Sequence, residues 1–143
     1  MILVDANVLL YAYHGRAAQH ERCRAWVEAQ FSSGEAVRLP WATIVAFLRV
    51  STNPRVFERP LTTAEAEAAV SAWLALPSVA PIDPGERYWD VLRDLLLRAQ
   101  VTGPLVTDAA LAALAIEHGA VLCTTDRDFA RFPGLRTLDP LES

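Results

Sequence analysis

Lysine is missing from this chain. All thirteen of its cationic residues are arginine, set against seventeen acidic ones, for a formal net charge of −4. A negative total does not favour broad attraction to polyanions, so any nucleic-acid contact has to come from local distribution. Arginine makes planar, bidentate contacts with phosphate and carboxylate, although compositional bias accounts for the lack of lysine equally well. Cysteine is scarce: Cys23 and Cys123 lie far apart with no CxxC spacing, which argues against a zinc or redox motif. Both read as small, reduced, partly buried side chains. His14, His20 and His118 show no HExxH or comparable spacing. No apolar stretch is long enough to span a bilayer. Asp5 interrupts the first apolar run, and no basic flank precedes it, so no signal peptide is expected and the expected compartment is the cytoplasm. No repeat, low-complexity tract or interdomain linker is visible. A chain of 143 residues with 52% hydrophobic content fits one compact domain, 1–143.

What is present is an alternation of short apolar runs and helical patterns. Met1 to Val4 reads as a buried strand, and Asp5 begins a turn into a helix through about Tyr13. Ala18 to Phe31 has helical spacing with Cys23, Trp26, Val27 and Phe31 on one face, and Ser32-Ser33-Gly34 ends it. Val37 to Leu39 is a second strand. Pro40 starts a helix through about Ser51, with Trp41, Ile44, Val45 and Leu48 expected to be buried. Thr62 and Glu65 form a capping box for a helix reaching Leu76. Val79 to Ile82 is a third strand. Asp83 or Pro84 starts a helix carrying Tyr88, Trp89, Leu92 and Leu95 to Leu97. A helix opening at Asp108 ends at His118-Gly119, with Gly119 as its C-terminal cap. Val121 to Thr124 is a fourth strand, and Leu135 to Leu138 adds a fifth. This order implies an α/β sandwich around a short, mostly parallel sheet of four or five strands flanked by helices. Parallel strands share one carboxyl edge, so residues distant in sequence become neighbours there.

Three aspartates fall at those strand and helix ends. Asp5 follows Ile2-Leu3-Val4, Asp108 opens an alanine-rich helix, and Asp126 follows Val121-Leu122-Cys123. Carboxylates at one edge of a sheet converge naturally on a hard cation. Mg²⁺ and Mn²⁺ prefer oxygen ligands, relieve repulsion between carboxylates, polarise phosphate and make bound water a better nucleophile. This gives a route to phosphodiester hydrolysis without a histidine or serine nucleophile. Asp5, Asp108 and Asp126 are the expected metal ligands. Asp128 would complete the acidic pocket or orient a water, Thr124 would place a hydroxyl beside it, and Asn7 would hold the loop carrying Asp5.

Each residue also has a plainer reading. Asp108 fits a helix cap, the segment around Asp128 a solvated turn, Thr124 a strand preference and Asn7 a turn. His118 fits a helix-end residue beside exposed carbonyls. Trp26, Trp41, Trp73 and Trp89 lie in helical patterns that suit core or dimer packing. Arg49, Arg55 and Arg59 cluster around a proline break, where RNA phosphate contact and surface ion pairing fit equally.

The segments VDANVLLYA, PWATIVAFLRVSTNPRVF, LVTDAALAALAIEHGA and TTDRDFARFPGLR together resemble a PIN-domain ribonuclease, and more narrowly the VapC toxins of VapBC toxin–antitoxin pairs. The resemblance covers nearly the whole chain. It implies a PIN-like three-layer sandwich and an Mg²⁺- or Mn²⁺-dependent endoribonuclease. It also implies a homodimer and a cognate VapB-type antitoxin, with operator DNA bound only through the toxin–antitoxin complex. One departure stands out: the family pattern places a glutamate just before the FLR segment, where this chain has Ala46. A methyl group does not replace a carboxylate. A natural branch with a reduced acidic set, compensation by another acid such as Asp128, and an inactivating change are the three explanations. The alternatives to a ribonuclease are a catalytically weakened PIN-fold module that binds RNA or protein, and a metal-dependent DNA nuclease. A phosphatase with a nucleophilic aspartate does not fit, because no DxDx[TV] motif is present.

Overall fold

The five apolar runs form one parallel sheet. A computed structural model describes residues 1–14 and 17–142. Its strands are β1 (Ile2–Val4), β2 (Val37–Pro40), β3 (Val79–Ile82), β4 (Val121–Cys123) and β5 (Arg136–Leu138), in the order β3-β2-β1-β4-β5. Every pairing is parallel. The chain therefore builds outward from β1 in one direction, then returns to its other side with β4. That reversal places a topological switch point between β1 and β4, where crevices open beyond the carboxyl ends of strands in such sheets.

The period-2 alternation of the strands divides the core into two layers. Ile2, Val4, Val37, Leu39 and Cys123 face α1 (Ala6–Tyr13), α2 (Ala17–Phe31), α3 (Trp41–Ser51) and α4 (Thr63–Leu74). Leu3, Ile82 and Leu122 face α5 (Tyr88–Ala99), α6 (Leu105–Glu117) and a 3-10 turn at Arg127–Arg131. Phe47 is fully buried in the first layer and meets Trp73 edge-on at 4.9 Å between ring centres. In the second layer α6 buries Ala109, Ala112, Ala113 and Ala115, whose small side chains let that helix lie close to the sheet. Three layers result: helices, sheet, helices. No helix among the described residues is long and apolar enough to cross a membrane.

Several local expectations hold. Thr62 and Glu65 form a reciprocal capping box. Gly119 takes φ +64 after the last turn of α6, a left-handed position that glycine occupies without a Cβ penalty. Others shift. On α3 the buried stripe is Thr43, Ile44, Phe47 and Ser51, while Trp41 and Val45 are exposed. An almost continuous apolar run allowed two competing stripes; the one that went inside buries Phe47 completely, and the Thr43 hydroxyl beside it is satisfied by donating to Val4 O at 2.9 Å. Residues 83–87 form a loop rather than helix, so α5 starts at Tyr88 and leaves Trp89 and Leu97 exposed. Of the four tryptophans, Trp73 is buried and Trp26 packs partly against the core, whereas Trp41 and Trp89 face solvent. Cys23 and Cys123 are both free and fully buried, and burial raises the Cys23 thiol to about 11.

Candidate active site

Asp5 is the residue at which β1 stops. Its N–H still donates to Cys123 O on β4 at 2.9 Å, so the backbone of β1 stays zipped to its neighbour up to that point. Val4 pairs with Cys123 in the register, which puts Asp5 and Thr124 side by side, one strand spacing apart (about 4.8 Å between parallel chains). Thr124 Oγ1 donates to Asp5 Oδ2 at 2.8 Å and accepts from Asp126 N–H at 3.1 Å. Asp126 in turn caps the 3-10 turn, its Oδ1 accepting from Asp128 N–H at 2.9 Å. One hydroxyl thus ties the end of β1 to the loop after β4.

Asp108 reaches the same edge from the other layer. It lies in the first turn of α6, three residues inside its start at Leu105, and the cap position is taken by Pro104 without a side-chain bond. The plain helix-cap reading of Asp108 is therefore not what the structure contains. Burial pushes the Asp108 carboxyl above its ordinary pKa; the charges of Asp126, Asp5 and Asp128 push it further, and that of Arg131 pulls it back. Burial also raises Asp5, opposed by the Thr124 hydroxyl and the Ala6 N–H, with the charge of Asp126 adding to the rise. The charges of Asp126, Asp5 and Asp128 thus reach Asp108, although Asp5 and Asp108 line one cavity and Thr124 and Asp126 another, and among the described residues no three His, Cys, Asp or Glu side chains are drawn together tightly enough to make a ready-formed ion site.

A cavity of about 250 Å³ opens against Asp5 and Asp108. Trp41, Tyr88, Pro84 and Leu111 give it apolar walls, and Ala46 and Thr43 line it from α3. Ala46 is half-buried, and its methyl group leaves that wall without a ligand atom. Asp83 lines the far side, at the end of β3, two strands away from β1. The donor set at the edge consists of carboxylate and hydroxyl oxygens, which fits a hard divalent cation and not a thiolate- or imidazole-preferring metal.

The remaining candidates lie elsewhere. Asn7 is exposed in the first turn of α1, and its side chain has no hydrogen-bond partner among the described residues. Arg49, Arg55 and Arg59 do not line the cavity; Arg49 lies in the last turn of α3, and Arg55 and Arg59 are exposed on the loop after it. His118 accepts the helix-end role in altered form: its Nε2 lies 3.0 Å from Asp83 O, a carbonyl of the neighbouring loop rather than of its own helix. The sequence reading missed Thr43 and Arg131. A lone hydroxyl on an apolar helix face was the available signal for Thr43; Arg131 was signalled only by its helical spacing of three from Asp128.

The PIN-domain family pattern matches residues 2–135. Ribonuclease VapC31 of Mycobacterium tuberculosis is 41% identical over 140 residues, spanning 98% of this chain and 99% of that protein. Among solved structures, that of FitAB bound to an IR36 DNA fragment aligns with a TM-score of 0.72 at 19% identity, covering 100% of this chain and 97% of that one. VapBC2 from Rickettsia felis, bound to a DNA fragment from its promoter, aligns with a TM-score of 0.68 at 16% identity, covering 97% and 98%. At such identities the structural matches speak to the fold alone, whereas the sequence matches speak to descent. Matched over nearly its full length in both ways, the chain belongs to the PIN-domain family and, within it, to the VapC group.

Proposed function

We propose that this chain is a divalent-metal-dependent endoribonuclease toxin, neutralised by a VapB-type antitoxin. The observation that carries the reading is the Asp5–Thr124–Asp126 chain of hydrogen bonds at the switch point, with Asp108 facing it from α6. Asp5, Asp108 and Asp126 would hold Mg²⁺ or Mn²⁺, and Asp128 belongs to the same acidic pocket. The ion would supply charge neutralisation, polarisation of the phosphate and an activated water. The protein's own part is positional: Thr124 fixes the Asp5 carboxylate, the 3-10 turn fixes Asp126, and the apolar cavity walls shield one side of the edge from water. Identity to a named VapC ribonuclease supports RNA as the substrate, and a VapBC fold relative solved on promoter DNA supports an antitoxin partner and operator binding through that complex.

The test is cleavage of a structured RNA by the purified chain with controlled Mn²⁺ or Mg²⁺, with Asp5→Asn as control. Metal-dependent cleavage that disappears in the variant supports the reading; equal cleavage by both sinks it. A second reading is favoured by one observation, the methyl of Ala46 in the cavity wall: a PIN-fold module that binds RNA or protein with weakened catalysis. Binding without cleavage in the same assay would select it. Single-stranded DNA supplied as competitor separates a DNA nuclease from both.

A further inference from the structure

The edge that gathers the carboxylates also holds one guanidinium. Arg131 closes the 3-10 turn, and its Nε donates to Asp128 O at 3.0 Å while Nη2 lies 3.4 Å from Asp128 Oδ1. Both contacts go to a single residue and lie along one side of the guanidinium plane. Nη1 has no partner among the described residues, so the plane is oriented and one edge of its fork is free. The side chain is 38% exposed. Its place beside the site follows from the hydrogen bonds of the turn: Asp128 N–H donates to Asp126 Oδ1 at 2.9 Å, and Asp126 N–H donates at 3.1 Å to the Thr124 hydroxyl that holds Asp5. Arg127, four residues earlier, does the opposite: it is 91% exposed and pairs with Glu142 at 3.7 Å.

A phosphodiester brought to this edge is an anion approaching a cluster of anions. A bound cation offsets part of that repulsion, but holding the phosphate oxygens in one orientation calls for a directional donor, which a planar guanidinium provides. An exposed ion pair between residues three apart is weak and is readily traded for an arginine–phosphate contact, which is charge-assisted and bidentate.

We propose, building on the nuclease reading above, that Arg131 binds a backbone phosphate of the RNA at the acidic edge and that Asp128 is its positioning partner rather than a cation ligand. Arg131 is then the cationic counterpart of the site, supplied by the chain itself.

The experiment measures single-stranded RNA affinity against salt concentration in an Asp5→Asn background, which keeps the RNA intact, together with KM and kcat in the otherwise native chain. Arg131→Ala is expected to weaken RNA binding about tenfold and to flatten the log–log salt slope by about 0.7, the value for one phosphate contact on a single strand. KM is expected to rise more than kcat falls. Arg127→Ala removes the same formal charge from the same turn and is expected to leave affinity and slope unchanged. Arg131→Lys is expected to restore the slope but not the full affinity. Asp128→Asn is expected to retain Mn²⁺ affinity by calorimetry while raising KM. An unchanged slope in Arg131→Ala, or an equal drop in Arg127→Ala, overturns the phosphate contact. Loss of Mn²⁺ binding in Asp128→Asn overturns the positioning role. Should the native chain cut no RNA while Arg131→Ala still flattens the salt slope, the nuclease reading falls and the phosphate contact stands.

Discussion

Thr124 and Asp5 stand 119 residues apart in sequence and 2.8 Å apart in space, the threonine hydroxyl donating to the aspartate carboxylate. That hydroxyl also accepts from the N–H of Asp126, so a single oxygen satisfies groups from both strands flanking the switch point. Thr124 is buried, and water does not readily replace it. Thr124→Val keeps the shape and removes both bonds. The expected loss is about 1–3 kcal/mol of stability, the usual cost of leaving buried polar groups unpaired, read by urea denaturation. Cleavage is expected to fall about 10- to 100-fold, as when a residue orienting a metal-binding carboxylate is removed. Thr124→Ser, which keeps the hydroxyl, is expected to recover most of both. A fully active Thr124→Val variant would show that Asp5 does not need this anchor.

Asp5 carries a second consequence. Burial raises its pKa above the ordinary 3.8, and the same holds for Asp108. A carboxyl raised in the folded state favours folding when protonated, so its contribution is complete below the unfolded value and is lost as pH rises through the folded one. The stability that these two carboxyls contribute in chelator is therefore expected to fall as pH increases from about 4, the range set by the 3.8 starting value. Asp5→Asn removes the buried charge but retains an oxygen to accept from Thr124. Its Tm at pH 7 in chelator is expected to exceed that of the native chain by a few degrees, with the difference vanishing at low pH. Mn²⁺ is expected to raise the Tm of the native chain by mass action and to do so far less for the variant. Scanning calorimetry across pH checks all of these; a destabilised Asp5→Asn in chelator would contradict the burial argument.

Ala46 faces the cavity shared by Asp5 and Asp108, and half-burial leaves room for a longer side chain to enter it. Ala46→Glu puts a further carboxylate against that wall. The expected result is tighter Mn²⁺ binding and faster cleavage, with lower stability in chelator because a further carboxylate is partly desolvated among apolar walls. Calorimetric titration and cleavage rates test the two halves separately. Unchanged metal affinity would mean that the site is arranged differently from the family pattern.

The contrast between what could and could not be read beforehand has a physical basis. Asp5 and Asp126 were legible because an apolar run that ends in a charge marks a strand end, and a parallel sheet brings such ends to one edge. The Thr62–Glu65 capping box was legible because its bonds span only three residues. The buried face of α3 was legible only in part: Ile44 is buried and Leu48 packs against the core as expected, but Trp41 and Val45 are exposed while Phe47 and Thr43 go inside, and Thr43 finds its acceptor in Val4 O, 39 residues away. The role of residues 83–87 was equally hidden. Their loop conformation depends on the last residue of α6, 30 positions beyond Arg87, which supplies the group that holds them.

That group is Glu117. Its Oε1 accepts from Gly85 N–H at 2.8 Å and its Oε2 from Arg87 N–H at 2.9 Å, with the side chain only 6% exposed. The two bonds fasten the loop whose Pro84 and the adjoining Tyr88 form part of the cavity wall. Gly85 permits the close approach: a Cβ there would sit 2.7 Å from Glu117 Oε2. Glu117→Gln keeps one acceptor but turns an amide N–H₂ toward a backbone N–H, so one bond is lost and two donors oppose each other. The expected cost is roughly 1–3 kcal/mol, and Gly85→Ala is expected to cost a similar amount by displacing the carboxylate. Neither residue touches the acidic edge, so loosening the loop is expected to raise KM for RNA more than it lowers kcat. Denaturation curves and steady-state kinetics on the two variants check this. A fall in kcat with KM unchanged would instead mean that the loop acts on the carboxylates and not on the cavity wall.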